Sequence, residues 1–253
     1  FTNMSKLQFI LLYIIVFLVD SQYVLCQDNA VFLSNKTNWA DSVMKTLSED
    51  ERIAQLFMVA AYSNKGESHK SEIKELVENY RIGGLMFLQG GPVRQAGLTN
   101  FYQQRSKIPL MIAIDAEWGV AMRLDSSLSF PWQMTLGAIS DTNLIYQMGV
   151  EIARQCKLLG IHINFAPVVD VNSNPENPII NNRSFGEDPK KVAKMGLAYM
   201  QGMQDNNILA CAKHFPGHGD TNSDSHKTLP TVNQLRYRLE ETELYPYRVL
   251  INN

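Results

Sequence analysis

The 253 residues hold only three cysteines, Cys26, Cys156 and Cys211. They are too few and too widely spaced for a disulfide framework or a thiolate zinc site. Cys156 and Cys211 fall inside apolar patterns and are expected to be buried free thiols. An excess of charge of one sign is missing as well: 23 Lys and Arg against 25 Asp and Glu, a net charge of -2, give no basic excess that argues for nucleic acid and no acidic solvating tail. No His-x-His or His-Glu-x-x-His spacing occurs, so no metal site is expected, although His214, His218 and His226 are close enough in sequence to keep a metal reading open. No glycine-rich phosphate fingerprint follows the first strand, which weakens a nucleotide-binding reading; no cofactor is expected. The most apolar stretch, from Leu7 to Val19, falls short of the ~20 residues that span a bilayer.

That stretch has a different meaning. Lys6 precedes it, Asp20 ends it, and small and polar residues lead to Gln27-Asp28-Asn29. A charged start, an apolar middle and a polar exit predict an export signal over residues 1–27, with no stable membrane span once it is removed. The destination expected is the periplasm or cell envelope, with Cys26 as a candidate for a lipid anchor. A polar linker is expected over 28–46, and a single domain over 47–253. With 45% hydrophobic residues, that domain can bury a sizeable core.

Within it, strands alternate with helices. Ser48-Glu49-Asp50-Glu51 is a capping box that starts a helix before a first strand near Leu56–Ala61. A helix over Ser71–Tyr80 leads to a second strand at 82–88, and Pro92 opens a helix reaching Ser106. Pro109–Asp115 is a third strand. Asp141 caps a helix to Leu159, Ile161–Val171 is a fourth strand, and Asp188-Pro189 opens another helix. A strand at Leu209 and a helix from Gln234 to Ile251 complete the series. Continuous apolar strands separated by amphipathic helices predict a parallel sheet covered on both faces. Asp115, Asp170, Lys213 and His214 fall at the C-terminal ends of strands, the edge where a (β/α)8 barrel or a doubly wound sheet binds its ligands. The barrel is favoured. Five βα units are read where a closed barrel takes eight, so the chain is expected to hold the first part of one.

The densest chemistry lies between Lys213 and His226. Asp224-Ser225-His226 puts a carboxylate and an imidazole on one face of an extended loop; a carboxylate on one ring nitrogen fixes the tautomer and prepares the ring to give and take a proton near neutrality. A solvated surface pair is the plain alternative. Lys213 at a strand end is costly to bury without a polar partner. It reads as a substrate hydrogen-bond donor, a Schiff-base nucleophile, or the partner of Asp170 or Asp115. His218 and its neighbouring glycines read as the shapers of a turn.

Lys213-His214-Phe215-Pro216-Gly217-His218-Gly219 followed by Asp224-Ser225-His226 resembles the signature of glycoside hydrolase family 3, in its β-N-acetylglucosaminidase branch. Three further segments agree: Ile114-Asp115-Ala116-Glu117-Trp118-Gly119 with Arg123, Phe165-Ala166-Pro167-Val168-Val169-Asp170, and Asn182-Arg183-Ser184-Phe185-Gly186. The resemblance implies a carbohydrate substrate containing N-acetylglucosamine and a retaining mechanism. It implies His226, held by Asp224, as the general acid/base. Asp115, Arg123, Arg183, Lys213 and His214 take the positions that hold the terminal sugar, and Asp170 is expected to be a buried strand-end anchor. The family's nucleophilic aspartate lies in a later segment, which this chain is expected not to reach. Family 3 β-glucosidases and β-xylosidases, a lysine aldolase on the same barrel and a non-catalytic sugar-binding module are the rival readings. Trp118 stands where many relatives have a second glycine, so the pocket wall is expected to differ there.

Overall fold

The computed structural model describes residues 38–224, 227–232 and 234–253. The expected export signal and Cys26 therefore lie outside the described residues, as does His226. Helix α1 (Asn38–Thr46) occupies the end of the stretch expected to be a linker, with its single acid, Asp41, in the first turn and Lys45 in the last, both favourable to the helix dipole.

From Leu47 the chain forms one compact unit. Ser48 accepts from the Glu51 amide while the Glu51 carboxylate accepts from the Ser48 amide, so the capping box starts α2 (Glu49–Ala54). There follow β1 (Met58–Tyr62), α3 (Glu67–Glu75) running on as a π turn to Tyr80, β2 (Gly84–Gln89), α4 (Pro92–Gln103) and β3 (Met111–Ile114). Next come α5 (Gln133–Gly137), α6 (Thr142–Leu158), β4 (Ile163–Asn164), α7 (Pro189–Gln204), β5 (Leu209–Ala210), α8 (Arg236–Glu241) and α9 (Tyr245–Ile251). Asp141 and Asp188 cap α6 and α7 through their side chains, as their sequence positions predict.

The five strands are all parallel and lie side by side in chain order, β1 to β5. A doubly wound sheet reverses its strand order at a switch point, and this one does not. It winds in one sense, as the wall of a (β/α)8 barrel does. Leu85, Phe87, Ile112 and Ile114 are fully buried in the sheet, with Ile152, Val192 and Tyr199 among the fully buried residues of the helices. Backbone closeness fixes the crossing of α6 and α7: a Cβ on Gly202 would lie 2.3 Å from the Tyr146 carbonyl oxygen, and one on Gly149 would lie 2.6 Å from that of Tyr199. Gly202→Ala should therefore destabilise the protein despite Ala's better helix propensity, by roughly 1–3 kcal/mol of overpacking less about 1 kcal/mol regained. A denaturant midpoint unchanged or raised would contradict this.

Several elements differ from the sequence expectation. The fourth strand stops at Asn164, because Pro167 brings no N–H to the ladder. Pairing resumes only as an isolated bridge between Val168 and Lys213, with the Val169 amide donating to the Lys213 carbonyl at 2.8 Å. The last helix is two helices rather than one. Between them Glu243 turns inward, 1% exposed, to meet Arg238, and Pro246 begins the second. Helix α5 has no counterpart in the sequence reading. Cys156 is buried and burial pushes its thiol up to about 12, whereas Cys211, expected to be buried, is exposed. It follows β5, which has a neighbour on one side only among the described strands.

Candidate active site

Of the residues expected at the site, Asp115, Arg123, Arg183, Lys213 and His214 are found at the C-terminal edge of the sheet. Asp115 and Glu117 follow β3, Asp170 lies beyond β4, and Lys213 and His214 lie beyond β5. Arg123 and Arg183 reach the edge from short 3-10 turns at Val120–Met122 and Asn181–Arg183.

These side chains form one continuous array. Arg123 donates from Nη2 to Asp115 Oδ2 at 2.5 Å and from Nε to the Asp115 carbonyl at 3.0 Å. Lys213 Nζ bridges Asp115 Oδ1 at 2.5 Å and Glu117 Oε1 at 2.8 Å. Arg183 grips Glu117 with both arms, Nε to Oε2 at 2.9 Å and Nη2 to Oε1 at 2.6 Å. Such forked pairs are the strong form of an ion pair, because planar donors and planar acceptors match. The plain alternative for Lys213 is thus met in part: its partners are Asp115 and Glu117, and Asp170 serves another residue.

Asp170 is 1% exposed and accepts from the amides of His214 and His218, the latter at 2.7 Å, and from His214 Nδ1 at 2.6 Å. It anchors the loop, as its strand-end position suggests. The tautomer of His214 follows from its neighbours. Arg183 Nη2 lies 3.1 Å from His214 Nε2, and a guanidinium can only donate. Nε2 must therefore accept, which leaves the proton on Nδ1, facing Asp170. His218 is buried, with its Nδ1 against the Thr221 hydroxyl, as befits a residue that shapes the turn.

Burial alone would raise the pKa of Asp115, but Lys213 and Arg123 outweigh it and hold the carboxyl below its usual range. Glu117 is likewise pushed up by burial and drawn further down by Arg183 and Lys213. Both groups bind protons less readily folded than unfolded. The stability they contribute is thus complete above the ordinary carboxylate range, near pH 4, and is lost as pH falls through their depressed folded values. The melting temperature should drop steeply below about pH 4, and Glu117→Gln should flatten that drop; an equally steep drop in the variant would contradict the assignment.

Glu117 is the residue the sequence reading left without a role. A signal is available: the resemblance puts three cations, Arg123, Arg183 and Lys213, around the sugar with Asp115 as the one carboxylate beside them, Asp170 being an anchor. Charges that are buried need partners, and Glu117 is the nearest unassigned acid in the chain to Asp115. Asp224 lies at the end of the described part of the loop, and its expected partner His226 lies outside the described residues. Among the described residues no group of three His, Cys, Asp or Glu side chains is arranged to hold a metal ion.

A barrel-type parallel sheet that carries guanidinium, ammonium and carboxylate groups at its C-terminal edge presents many directed hydrogen-bonding groups where such folds bind their ligands. Residues 48–253 match the glycosyl hydrolase family 3 N terminal domain, and the chain belongs to that family. It is 41% identical over 193 residues to beta-hexosaminidase A of Pseudoalteromonas piscicida, covering 71% of this chain and 32% of that one. A family 3 beta-N-acetylglucosaminidase from Paenibacillus superposes with a TM-score of 0.74 at 36% identity, over 81% of this chain and 40% of the other. A beta-glucoside phosphorylase superposes at 0.79 with 28% identity, over 85% and 38%. The chain thus spans about a third to two fifths of the length of these relatives.

Proposed function

We propose that the protein of which these residues form part releases terminal β-linked N-acetylglucosamine from peptidoglycan- or chitin-type oligosaccharides. The observation that carries this reading is the single array joining Asp115, Arg123, Arg183, Lys213 and His214, in a chain similar to hexosaminidases. Asp115 faces the sugar hydroxyls, while buried Glu117 holds Arg183 and Lys213 in place, so that Arg123, Arg183 and Lys213 supply donors already oriented by those carboxylates. His226, steadied by Asp224, protonates the glycosidic oxygen as the leaving group departs and later takes a proton from water. A neutral-to-cationic imidazole suits that place because, unlike a second carboxylate, it does not repel an anionic nucleophile.

Asp115, Glu117 and Asp170 are all committed to cations or imidazole. As the resemblance to the family implies, the nucleophile is assigned to an aspartate of a later segment, and residues 1–253 alone should show no turnover. Export fits an envelope polymer as substrate: residues 1–27 are assigned as the signal, Cys26 remains a candidate for lipidation, and among the described residues no helix is long and apolar enough to cross a membrane. The likeness to a beta-glucoside phosphorylase favours a second reading, in which the ring bound is a glucoside.

Retention is tested by following the full-length protein on an aryl N-acetyl-β-glucosaminide by proton NMR. The β anomer of the released sugar should form first and then mutarotate. First appearance of the α anomer would overturn the retaining mechanism, and absence of release would overturn the hydrolase reading.

A further inference from the structure

Beside the array lies a feature it does not use. Trp118, next in the chain to Glu117, stacks on Trp132 with ring centroids 4.3 Å apart and planes 26° from parallel. Stacking hides one face of each indole, yet Trp132 remains 45% exposed. Trp132 thus keeps a broad aromatic surface open although the chain on either side of the pair is tightly held. The Phe130 amide donates to the Trp118 carbonyl at 3.0 Å. Gly119, at φ 92°, brings the turn so close that a Cβ would lie 2.9 Å from Phe130 Cδ2. On the other side Gln133, 1% exposed, donates to the Val168 carbonyl at 2.9 Å, just beyond β4. Trp132 therefore stands on a support locked to two strand ends, and its ring is braced by Trp118.

We infer that the Trp118–Trp132 pair is a second carbohydrate subsite, an aromatic platform that takes the pyranose ring on the leaving-group side of the scissile bond. This rests on the hydrolase reading above for the placement of the first ring. The charged array suits a ring gripped edge-on by its hydroxyls. An indole suits the other aspect of a pyranose, the face of axial C–H bonds, which covers apolar surface without asking for hydrogen bonds. The platform begins one residue beyond Glu117, so a ring linked to the first has a short distance to cover. Because the indoles are already fixed by each other and by their backbone anchors, little side-chain freedom is lost on binding. Trp118 acts here as the brace and Trp132 as the contact surface.

The test is calorimetric titration of the full-length protein with N-acetylglucosamine and with its non-hydrolysable thio-linked β-1,4 disaccharide. The disaccharide should bind about tenfold more tightly, the gain expected from covering one aromatic face. Trp132→Ala should remove that gain and leave monosaccharide binding unchanged, while Trp132→Phe should keep most of it. The platform is overturned if Trp132→Ala leaves the disaccharide gain intact, if it weakens both sugars equally, or if neither sugar binds the parent protein. Failure of the hydrolase reading looks different: both sugars bind as described while an aryl N-acetyl-β-glucosaminide is left uncleaved.

Discussion

Glu117→Gln should cost the protein about 3 kcal/mol of stability, the scale expected when one member of a buried ion pair loses its charge. Glu117 is 0% exposed, and its carboxylate is shared between Arg183 and Lys213. The substitution keeps the shape of the side chain and removes the charge, so two cations lose a common anion. Arg183 then loses the fork that points it at His214, and Lys213 is left with Asp115 alone. Activity should fall on the order of a hundredfold, because donors displaced by a fraction of an ångström no longer meet the sugar together. Equilibrium unfolding and kcat/KM measured on the same preparation check both parts. A double-mutant cycle with Arg183→Met locates the cause: if the charge left on Arg183 is the penalty, the double variant should be more stable than the sum of the singles predicts. Simple additivity would mean that the fork contributes little.

His226→Ala in the full-length protein should lower kcat/KM on N-acetylglucosamine oligosaccharides by about 10²–10⁴, the range for loss of a positioned general acid. On an aryl glycoside with a good leaving group the loss should be far smaller, because the departing phenolate needs no proton. Asp224→Asn should reproduce part of the same selective loss by withdrawing the carboxylate expected to orient the ring. Equal damage to both substrates would make His226 a structural residue of the loop.

Much of this arrangement could be read from the sequence, for reasons that are local. A capping box at Ser48 and Glu51, and Asp caps before Thr142 and Pro189, act within one turn of chain, so their residues announce them. Apolar runs ending on Asp115 or Lys213 mark strand ends for the same reason. What was not legible depended on contacts distant in the chain. Arg183 finds Glu117 across 66 residues, a pairing that no local pattern announces, whereas Lys213 finds Asp115 across 98, one of the two partners its sequence position suggests. The fourth strand is shorter than its apolar run predicts, because Val168, Val169 and Val171 are as apolar as strand residues, yet Pro167 interrupts the ladder before them. The break in the final helix leaves no sequence signal, because an inward Glu243 looks no different in sequence from a solvated one. Helix α5 is only five residues long, too short for a periodic signal. Trp118 was visible as a departure from its relatives, but its partner Trp132, fourteen positions on, gave no sign that the two would stack.

The most direct test of the account is the ratio of kcat/KM for an aryl N-acetyl-β-glucosaminide to that for the matching aryl β-glucoside, measured with the full-length protein. A site that reads the 2-acetamido group should favour the former by at least about a hundredfold, since a hydrogen-bonding pocket left with unpaired polar groups rejects the analogue that lacks their partner. A ratio near or below one would contradict it and place the chain with the β-glucoside-specific members of its family.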